Sequence, residues 1–164
     1  MVDDSAIPPV VTDRVAARVL VVDDDGALLL LQGCDPARPD AGTWWFTPGG
    51  GLDDDETSEA AARRELQEET GLEAGDLGPV VFRRIAHFSF ERVQYRQREE
   101  FFSVRCPRFV IDNAGWTAVE RRSVLDHRWW TYTELVATDE TLHPPQLAQI
   151  LHDILAAGGE DVSP

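Results

Sequence analysis

The chain has 164 residues and carries 30 acidic against 15 basic side chains, which gives a formal net charge of −15 at neutral pH. This excess of negative charge argues against a nucleic-acid polymer as the main partner, although a small nucleotide whose phosphates arrive with a cation stays compatible with it. No apolar run is long enough to cross a bilayer, and no signal-peptide pattern is visible. We therefore expect a cytoplasmic protein that does not bind membranes.

The length and a hydrophobic content of 43% predict one domain with a sizeable core. We expect a loose leader over residues 1–11, a single domain over 12–158 and an acidic tail over 159–164. All 15 basic residues are arginine, which is typical of a GC-rich coding genome and leads us to expect a bacterial source. Any direct contact between a basic side chain and a phosphate must then use arginine, which suits bidentate contacts.

The first third of the chain predicts a hairpin followed by a short aromatic strand. Valine- and leucine-rich runs, bounded by turn residues, predict strands at Arg14–Val22, Ala27–Gln32 and Thr43–Thr47. The first two are joined by a turn at Asp23–Gly26, and residues 33–42 form a loop. The glycines of Pro48–Gly51 let the backbone turn sharply and approach a ligand closely.

A helix is predicted over Ser58–Thr70, with recognisable signals at both ends. Thr57 or Ser58 can cap its start, and the acidic residues at 53–56 place negative charge near its positive end. Gly71 stands where a left-handed residue ends a helix.

The predicted helix carries three carboxylates on one face, because Glu65, Glu68 and Glu69 stand at i, i+3 and i+4. Each like-charge pair destabilises an isolated helix by a few tenths of a kcal/mol, roughly. A hard divalent cation with oxygen ligands is the partner that best offsets this repulsion.

The rest of the chain predicts a second hairpin and a C-terminal helix. Two long strands, expected to be antiparallel neighbours, are predicted at Pro79–Phe90 and Tyr95–Cys106. Beyond them we expect a polar loop with room for a short strand at Phe109–Arg122, a strand at Asp126–Tyr132, a short helix opening at Thr133–Leu135, and a final helix from Pro144 to about Ala157.

The segment Gly50 to Leu72 reads GGLDDDETSEAAARRELQEETGL. It resembles the signature of the Nudix hydrolases, G-x5-E-x7-R-E-U-x-E-E-x-G-U with U apolar, and it matches at every specified position. The resemblance implies an α/β/α sandwich of the α+β type on a mixed sheet. It also implies metal-dependent cleavage of a nucleoside diphosphate linked to another moiety, such as a nucleoside triphosphate or a nucleotide sugar.

Two unspecified positions of the segment depart from common usage. Asp53 stands where glutamate is frequent, and Asp55 stands where glycine is frequent. Aspartate tolerates left-handed backbone angles better than most residues, so we expect the turn to be kept at Asp55.

The resemblance implies a magnesium site, with manganese as the alternative, whose ligands are the carboxylates of Glu65, Glu68 and Glu69 and the carbonyl of Gly50. Arg64 is expected to hold Glu56 or a metal-binding glutamate in place, and its plainer role is a surface pair with Glu68. Glu56 and Gly71 are the residues of this segment for which the resemblance implies a structural role.

The implied reaction is attack of water on a phosphorus atom, and a carboxylate must take the proton of the water. We expect that base to be Glu65 or Glu69, with Glu120 as a candidate from a distant loop. Glu120 is equally well an ordinary exposed loop residue, and four other acids compete with it: Asp112, Asp126, Glu99 and Glu100.

Substrate contacts are less well specified than the metal site. Trp45 and Phe46 are candidates to stack on a base, although core packing is the commoner role for each. Arg18 and Arg83 are candidates to bind phosphates, although exposed arginines are commonly just solvated. No segment of the chain selects one substrate, and the resemblance also allows a homodimer.

Two other functions are possible on the same fold. A catalytically silent nucleotide-binding or regulatory domain is one, but such domains usually lose the glutamates that this chain keeps. An isomerase is the other, but it requires an active-site cysteine in a characteristic segment, which the sequence around Cys34 does not resemble.

Overall fold

The computed structural model of the chain describes residues 10–158, so most of the expected leader (residues 1–9) and the expected tail (159–164) lie outside the described residues. The strands are β1 Val11–Val22, β2 Leu28–Cys34, β3 Thr43–Phe46, β4 Gly49–Gly51, β5 Phe82–Phe90, β6 Val93–Arg105, β7 Val124–Trp130 and β8 Leu142–His143. The helices are α1 Ser58–Thr70, α2 Ala118–Ser123, α3 Tyr132–Ala137 and α4 Leu147–Ala157, with one 3-10 turn at Pro39–Ala41.

The strands form one mixed sheet in the order β5-β6-β1-β2-β3-β8, with β4 paired to β1 and β7 paired to β2. The long strands β1 and β6 run parallel, from Val11 opposite Gln94 to Val22 opposite Arg105. The expected antiparallel pairing of β5 with β6 is confirmed. The hairpin of β1 and β2 is also confirmed, but these strands pair at Val22 and Leu28 and then diverge, each taking other neighbours.

Two apolar clusters fill the two faces of this sheet. Because successive side chains of a strand point to opposite faces, Val19 and Leu20 of β1 belong to different clusters. Val19 packs with Leu66 of α1 on one face, and Leu20 packs with Leu151 of α4 on the other. The sheet therefore lies between α1 and the C-terminal helices, which confirms the expected α/β/α sandwich.

Helix α1 has the bounds that the sequence predicts. Thr57 caps it by accepting a hydrogen bond from the backbone N–H of Ala60 at 3.2 Å. Ser58 has another role, since its hydroxyl donates to Glu100 on β6 at 2.6 Å. Gly71 is left-handed with φ 79° and closes the helix. Asp55 has φ 63°, so aspartate does take the left-handed conformation in the preceding turn.

Three expectations for the C-terminal half are wrong in detail. The expected loop with a possible strand at Phe109–Arg122 contains the start of helix α2, too short for an apolar period to predict. The strand expected at Asp126–Tyr132 begins at Val124 and ends at Trp130. The last helix begins only at Leu147, after the two prolines that we expected to open it.

Candidate metal centre

Three carboxylates from two helices converge at one place. One oxygen from each of Glu65, Glu69 and Glu120 lies within 4.8 Å of the other two. Glu65 and Glu69 are one turn apart on α1, and Glu120 lies in the first turn of α2. The sequence named all three residues, and the contact of the loop before α2 with the end of α1 brings them together.

Glu69 is the most deeply placed of the three, with 5% of its surface exposed. Its Oε2 accepts a hydrogen bond from the backbone N–H of Gly49 at 2.9 Å. Burial and the nearby charge of Glu65 raise the pKa of Glu69 well above its usual range, although the Gly49 N–H and Arg18 act in the opposite direction. A nearby cation would favour the charged form of this carboxylate.

Glu65 lies directly against the backbone of β4. A Cβ atom added to Gly50 would lie 2.6 Å from the carboxylate carbon of Glu65, closer than such atoms approach one another. Burial raises the pKa of Glu65, and its hydrogen bond to Arg64 opposes that shift. A side chain at position 50 would therefore displace a carboxylate of the cluster.

Arg64 joins the turn before α1 to the cluster. Its Nε and Nη2 donate to Oε2 and Oε1 of Glu56, both at 2.8 Å, and its Nη1 donates to Oε1 of Glu65 at 2.9 Å. Nη2 also donates to the carbonyl of Gly51 at 3.1 Å. The Arg64 guanidinium, together with the Asp53 N–H, lowers the pKa of Glu56 to about 2. The structure therefore places Arg64 against Glu56 and also against Glu65, one of the proposed metal ligands.

Glu68 does not join the three-carboxylate cluster. Its side chain is 42% exposed and accepts a hydrogen bond from Nη1 of Arg64 at 3.3 Å. Glu68 is turned by about 100° from Glu69 around the helix axis, at the edge of the shared face, and its carboxylate is directed to Arg64. The surface pair between Arg64 and Glu68 thus exists beside the contacts to Glu56 and Glu65.

The acids that competed with Glu120 are engaged elsewhere. Glu99 is 3% exposed and lies between the guanidinium groups of Arg18 and Arg84. Each of the other three is bound to partners near it in the fold: Glu100 to Ser58 and Arg83, Asp112 to the N–H of Ala114, and Asp126 to the N–H of His127. Within residues 10–158, the candidate acid that reaches the cluster is Glu120.

The candidate substrate residues fall into two groups. Trp45 is 5% exposed, packs edge-on against Trp130 with 5.2 Å between ring centroids, and donates its indole N–H to Glu140 at 3.0 Å. Arg83 is 68% exposed and pairs with Glu100. Arg18 instead donates to the carbonyl of Gly49 at 3.0 Å and lies 5.9 Å from the ring centroid of half-buried Phe46. Arg18 and Phe46 are therefore the pair beside the glycine strand.

Trp116 is a residue of the site that the sequence did not single out. Its indole N–H donates to the backbone carbonyl of Glu69 at 2.7 Å. A single tryptophan in a polar loop has no periodic neighbours and matches no part of the signature, so nothing in the sequence pointed to this contact.

The cluster fits a hard divalent cation. Its donors are all carboxylate oxygens, which suit magnesium and similar ions. Two of the carboxylates are shielded from water next to each other, so their charged forms need a positive partner beyond Arg64. The glycine backbone at Gly50 lies on the cluster where a Cβ would intrude.

No helix within the described part of the chain is long and apolar enough to cross a membrane.

A family model described as the NUDIX domain matches residues 12–154. Among solved structures, the MutT protein from Methanosarcina mazei Go1 is 18% identical with a TM-score of 0.62, covering 95% of this chain and 100% of that one. An Ap4A hydrolase from C. elegans, solved as a binary complex, is 17% identical with a TM-score of 0.58, covering 88% and 98%. The NUDIX domain of NrtR from Shewanella oneidensis, solved with ADP ribose, is 17% identical with a TM-score of 0.62, covering 88% and 89%. At these identities the likeness shows the fold alone. A search of curated proteins found no match.

Proposed function

Since this chain belongs to the Nudix family, we propose that it is a hydrolase that cleaves a P–O–P bond with the help of magnesium. Its substrate would be a nucleoside diphosphate linked to another moiety, such as a nucleoside triphosphate or a nucleotide sugar. The observation that carries the proposal is the convergence of Glu65, Glu69 and Glu120 within 4.8 Å of one another.

The carboxylates of Glu65, Glu69 and Glu120 would hold the cation, with the Gly50 carbonyl as a backbone ligand. The ion is magnesium or manganese, because an all-oxygen donor set suits both. When bound, it supplies positive charge next to the phosphoryl oxygens and lowers the pKa of water. Glu68, at the exposed edge of the site, would contribute through a second ion or a water molecule.

The reaction forms a bond between a water oxygen and a phosphorus atom and breaks the bridging P–O bond on the far side. The leaving phosphate departs as the negatively charged group, and the proton of the water goes to a carboxylate of this chain. That base is one of Glu65, Glu69 and Glu120. Arg64 would act indirectly, because its contacts to Glu56 and Glu65 fix the carboxylate that faces the cation.

Arg18 and Phe46 are the proposed substrate contacts. Arg18 donates a hydrogen bond to the carbonyl of Gly49. The next residue, Gly50, lies against the carboxylate of Glu65. The Arg18 guanidinium is therefore placed to bind a phosphate that reaches the cluster, and the ring of Phe46 offers a face for a base. We propose no such role for Trp45, which is packed in the core, or for Arg83, which is exposed and bound to Glu100. Arg18 also has an acidic partner, Glu99, but its hydrogen bond to Gly49 places it beside the cluster.

The proposal is tested by magnesium-dependent hydrolysis across nucleoside triphosphates, nucleotide sugars, ADP-ribose and dinucleoside polyphosphates, with products identified by mass. Reaction in ¹⁸O-labelled water would identify which phosphorus is attacked. The control is Glu69→Gln, which keeps an oxygen to accept the Gly49 N–H but removes the charge. We expect its turnover to fall by about two to four orders of magnitude.

Cleavage of one substrate class that is lost in Glu69→Gln would support the proposal. Wild-type rates in this variant at saturating magnesium would contradict the assignment of Glu69. No cleavage of any compound, with magnesium binding intact, would favour the silent nucleotide-binding domain.

A further inference from the structure

The segment between β6 and α2 closes over the C-terminal turn of α1. The last carbonyls of a helix have no partners within it. Here Gly71 N–H donates to Gln67, Trp116 Nε1 donates to Glu69 at 2.7 Å, and Asp112 N–H donates to Thr70 at 3.0 Å.

The same segment also packs closely on the backbone of α1 at Gly115. A Cβ atom added to Gly115 would lie 2.8 Å from the carbonyl oxygen of Glu68 and 3.1 Å from its Cα. The absence of a side chain at position 115 therefore lets the segment lie directly on the backbone of α1.

Trp116 leads immediately into the residues that fix Glu120. The next residue, Thr117, caps α2 by accepting a hydrogen bond from the Glu120 N–H at 3.2 Å. In return Oε2 of Glu120 accepts a hydrogen bond from the Thr117 N–H at 2.6 Å. Such a reciprocal capping box fixes the side chain at the third helical position relative to the residue before the helix.

Glu69 is therefore connected to Glu120 in two ways. Its side chain lies in the cluster with Glu120, and its backbone carbonyl binds the indole of the residue that precedes the Glu120 capping box. Moving the indole away from α1 would move Thr117, and with it the Glu120 carboxylate.

We propose that Trp116 is a positioning residue that holds the Glu120 carboxylate at the metal centre. The inference rests on the proposed function, since it assigns a cation to the cluster. Trp116 itself touches neither cation nor substrate and acts through the backbone of Thr117.

The test is a double-mutant cycle on cation binding, measured by calorimetry with Mg²⁺ or Mn²⁺ alone and no nucleotide. The variants are Trp116→Phe, which keeps a ring but loses the donor, Glu120→Gln, and the two combined. Loss of outer partners of metal ligands typically weakens binding by about 10- to 100-fold, and we expect Trp116→Phe to weaken it by roughly tenfold. Because Trp116 acts through Glu120, the double variant should bind no more weakly than Glu120→Gln.

Gly115→Ala is a second, independent variant. Gly115 does not have a positive φ, so alanine tests the contact with Glu68 rather than backbone strain. We expect it to weaken cation binding and to have no further effect in the Glu120→Gln background. Trp129→Phe is the control for loss of indole area, because Trp129 packs edge-on against Phe109. Thermal unfolding of every variant shows whether the fold is retained.

Unchanged cation affinity in Trp116→Phe or in Glu120→Gln would overturn the inference. The inference would also be overturned if Trp116→Phe lowered cation affinity by the same factor in the wild-type and the Glu120→Gln backgrounds. Such additivity is expected of a residue that acts independently of Glu120. Failure of the proposed function gives a different result. No nucleotide would then be hydrolysed, but the cation affinities of the four proteins, which are measured without nucleotide, would still test the inference.

Discussion

Arg64 holds Glu56 in a two-pronged ion pair, with Nε donating to Oε2 and Nη2 donating to Oε1, both at 2.8 Å. The same guanidinium donates to Glu65 at 2.9 Å. One planar side chain thus connects the turn before α1 to a carboxylate of the candidate metal centre, and two predictions depend on this geometry.

Arg64→Lys should weaken both cation binding and turnover. A lysine ammonium is a point charge and cannot reproduce the planar fork that spans Glu56 and Glu65. We expect a loss of about 10- to 100-fold in magnesium affinity, measured by calorimetry and by magnesium titration of turnover. The matched control is Arg63→Lys, because Arg63 is the exposed neighbour and donates to the carbonyl of Ala74. Equal behaviour of the two variants would contradict the role of Arg64.

The ion pair of Glu56 should stabilise the fold in a defined pH range. Its pKa falls from the ordinary 4.5 to about 2 in the folded chain, chiefly because Arg64 binds its charged form. A lowered folded-state pKa gives stability that is fully present above pH 4.5 and is lost as pH falls through about 2.

The measurement is the melting temperature of wild type and Glu56→Gln between pH 7 and pH 2. We expect wild type to melt higher at neutral pH and the two curves to approach each other in acid. A difference that stays constant down to the lowest pH would rule out this linkage.

Glu120→Gln should affect the metal centre without much effect on the fold. Glutamine is also accepted at the third position of a capping box, so the helix should keep its cap. The chain supplies a matched control in Glu134, which forms the same box with Thr131 at the start of α3. We expect lowered cation affinity and turnover in Glu120→Gln and wild-type values in Glu134→Gln. Equal loss of activity in both variants would contradict a specific role for Glu120, because Glu134 has the same local contacts at another place in the fold.

Gly50→Ala should disrupt the cluster, whereas Gly51→Ala should not. A Cβ at position 50 would lie 2.6 Å from the Glu65 carboxylate, but the nearest atom to a Cβ at position 51 is Nη1 of Arg14 at an ordinary 3.8 Å. We expect turnover to fall by at least about tenfold in Gly50→Ala, as for the loss of other groups that orient metal ligands. Steady-state kinetics of the two variants, with thermal unfolding beside them, checks this. Similar kinetics in both would contradict the contact between Gly50 and Glu65.

The sequence by itself predicted the parts that depend on residues close together in the chain. Helix α1 has its expected bounds because the capping threonine and the terminal glycine are local signals. Glu65 and Glu69 share a face because a spacing of four residues is close to one helical turn. The left-handed turn at Asp55 and the family of the chain follow from the same short segment.

Only the tertiary structure decided which distant residues reach that segment. Glu120 was one of five candidate acids, and the docking of the loop before α2 on the carbonyls of α1 brings it to Glu65 and Glu69. The contact of Trp116 depends on the same docking. Spacing along a chain specifies directions within one helix, but the distance between two elements is set by how their surfaces pack, which no local pattern records.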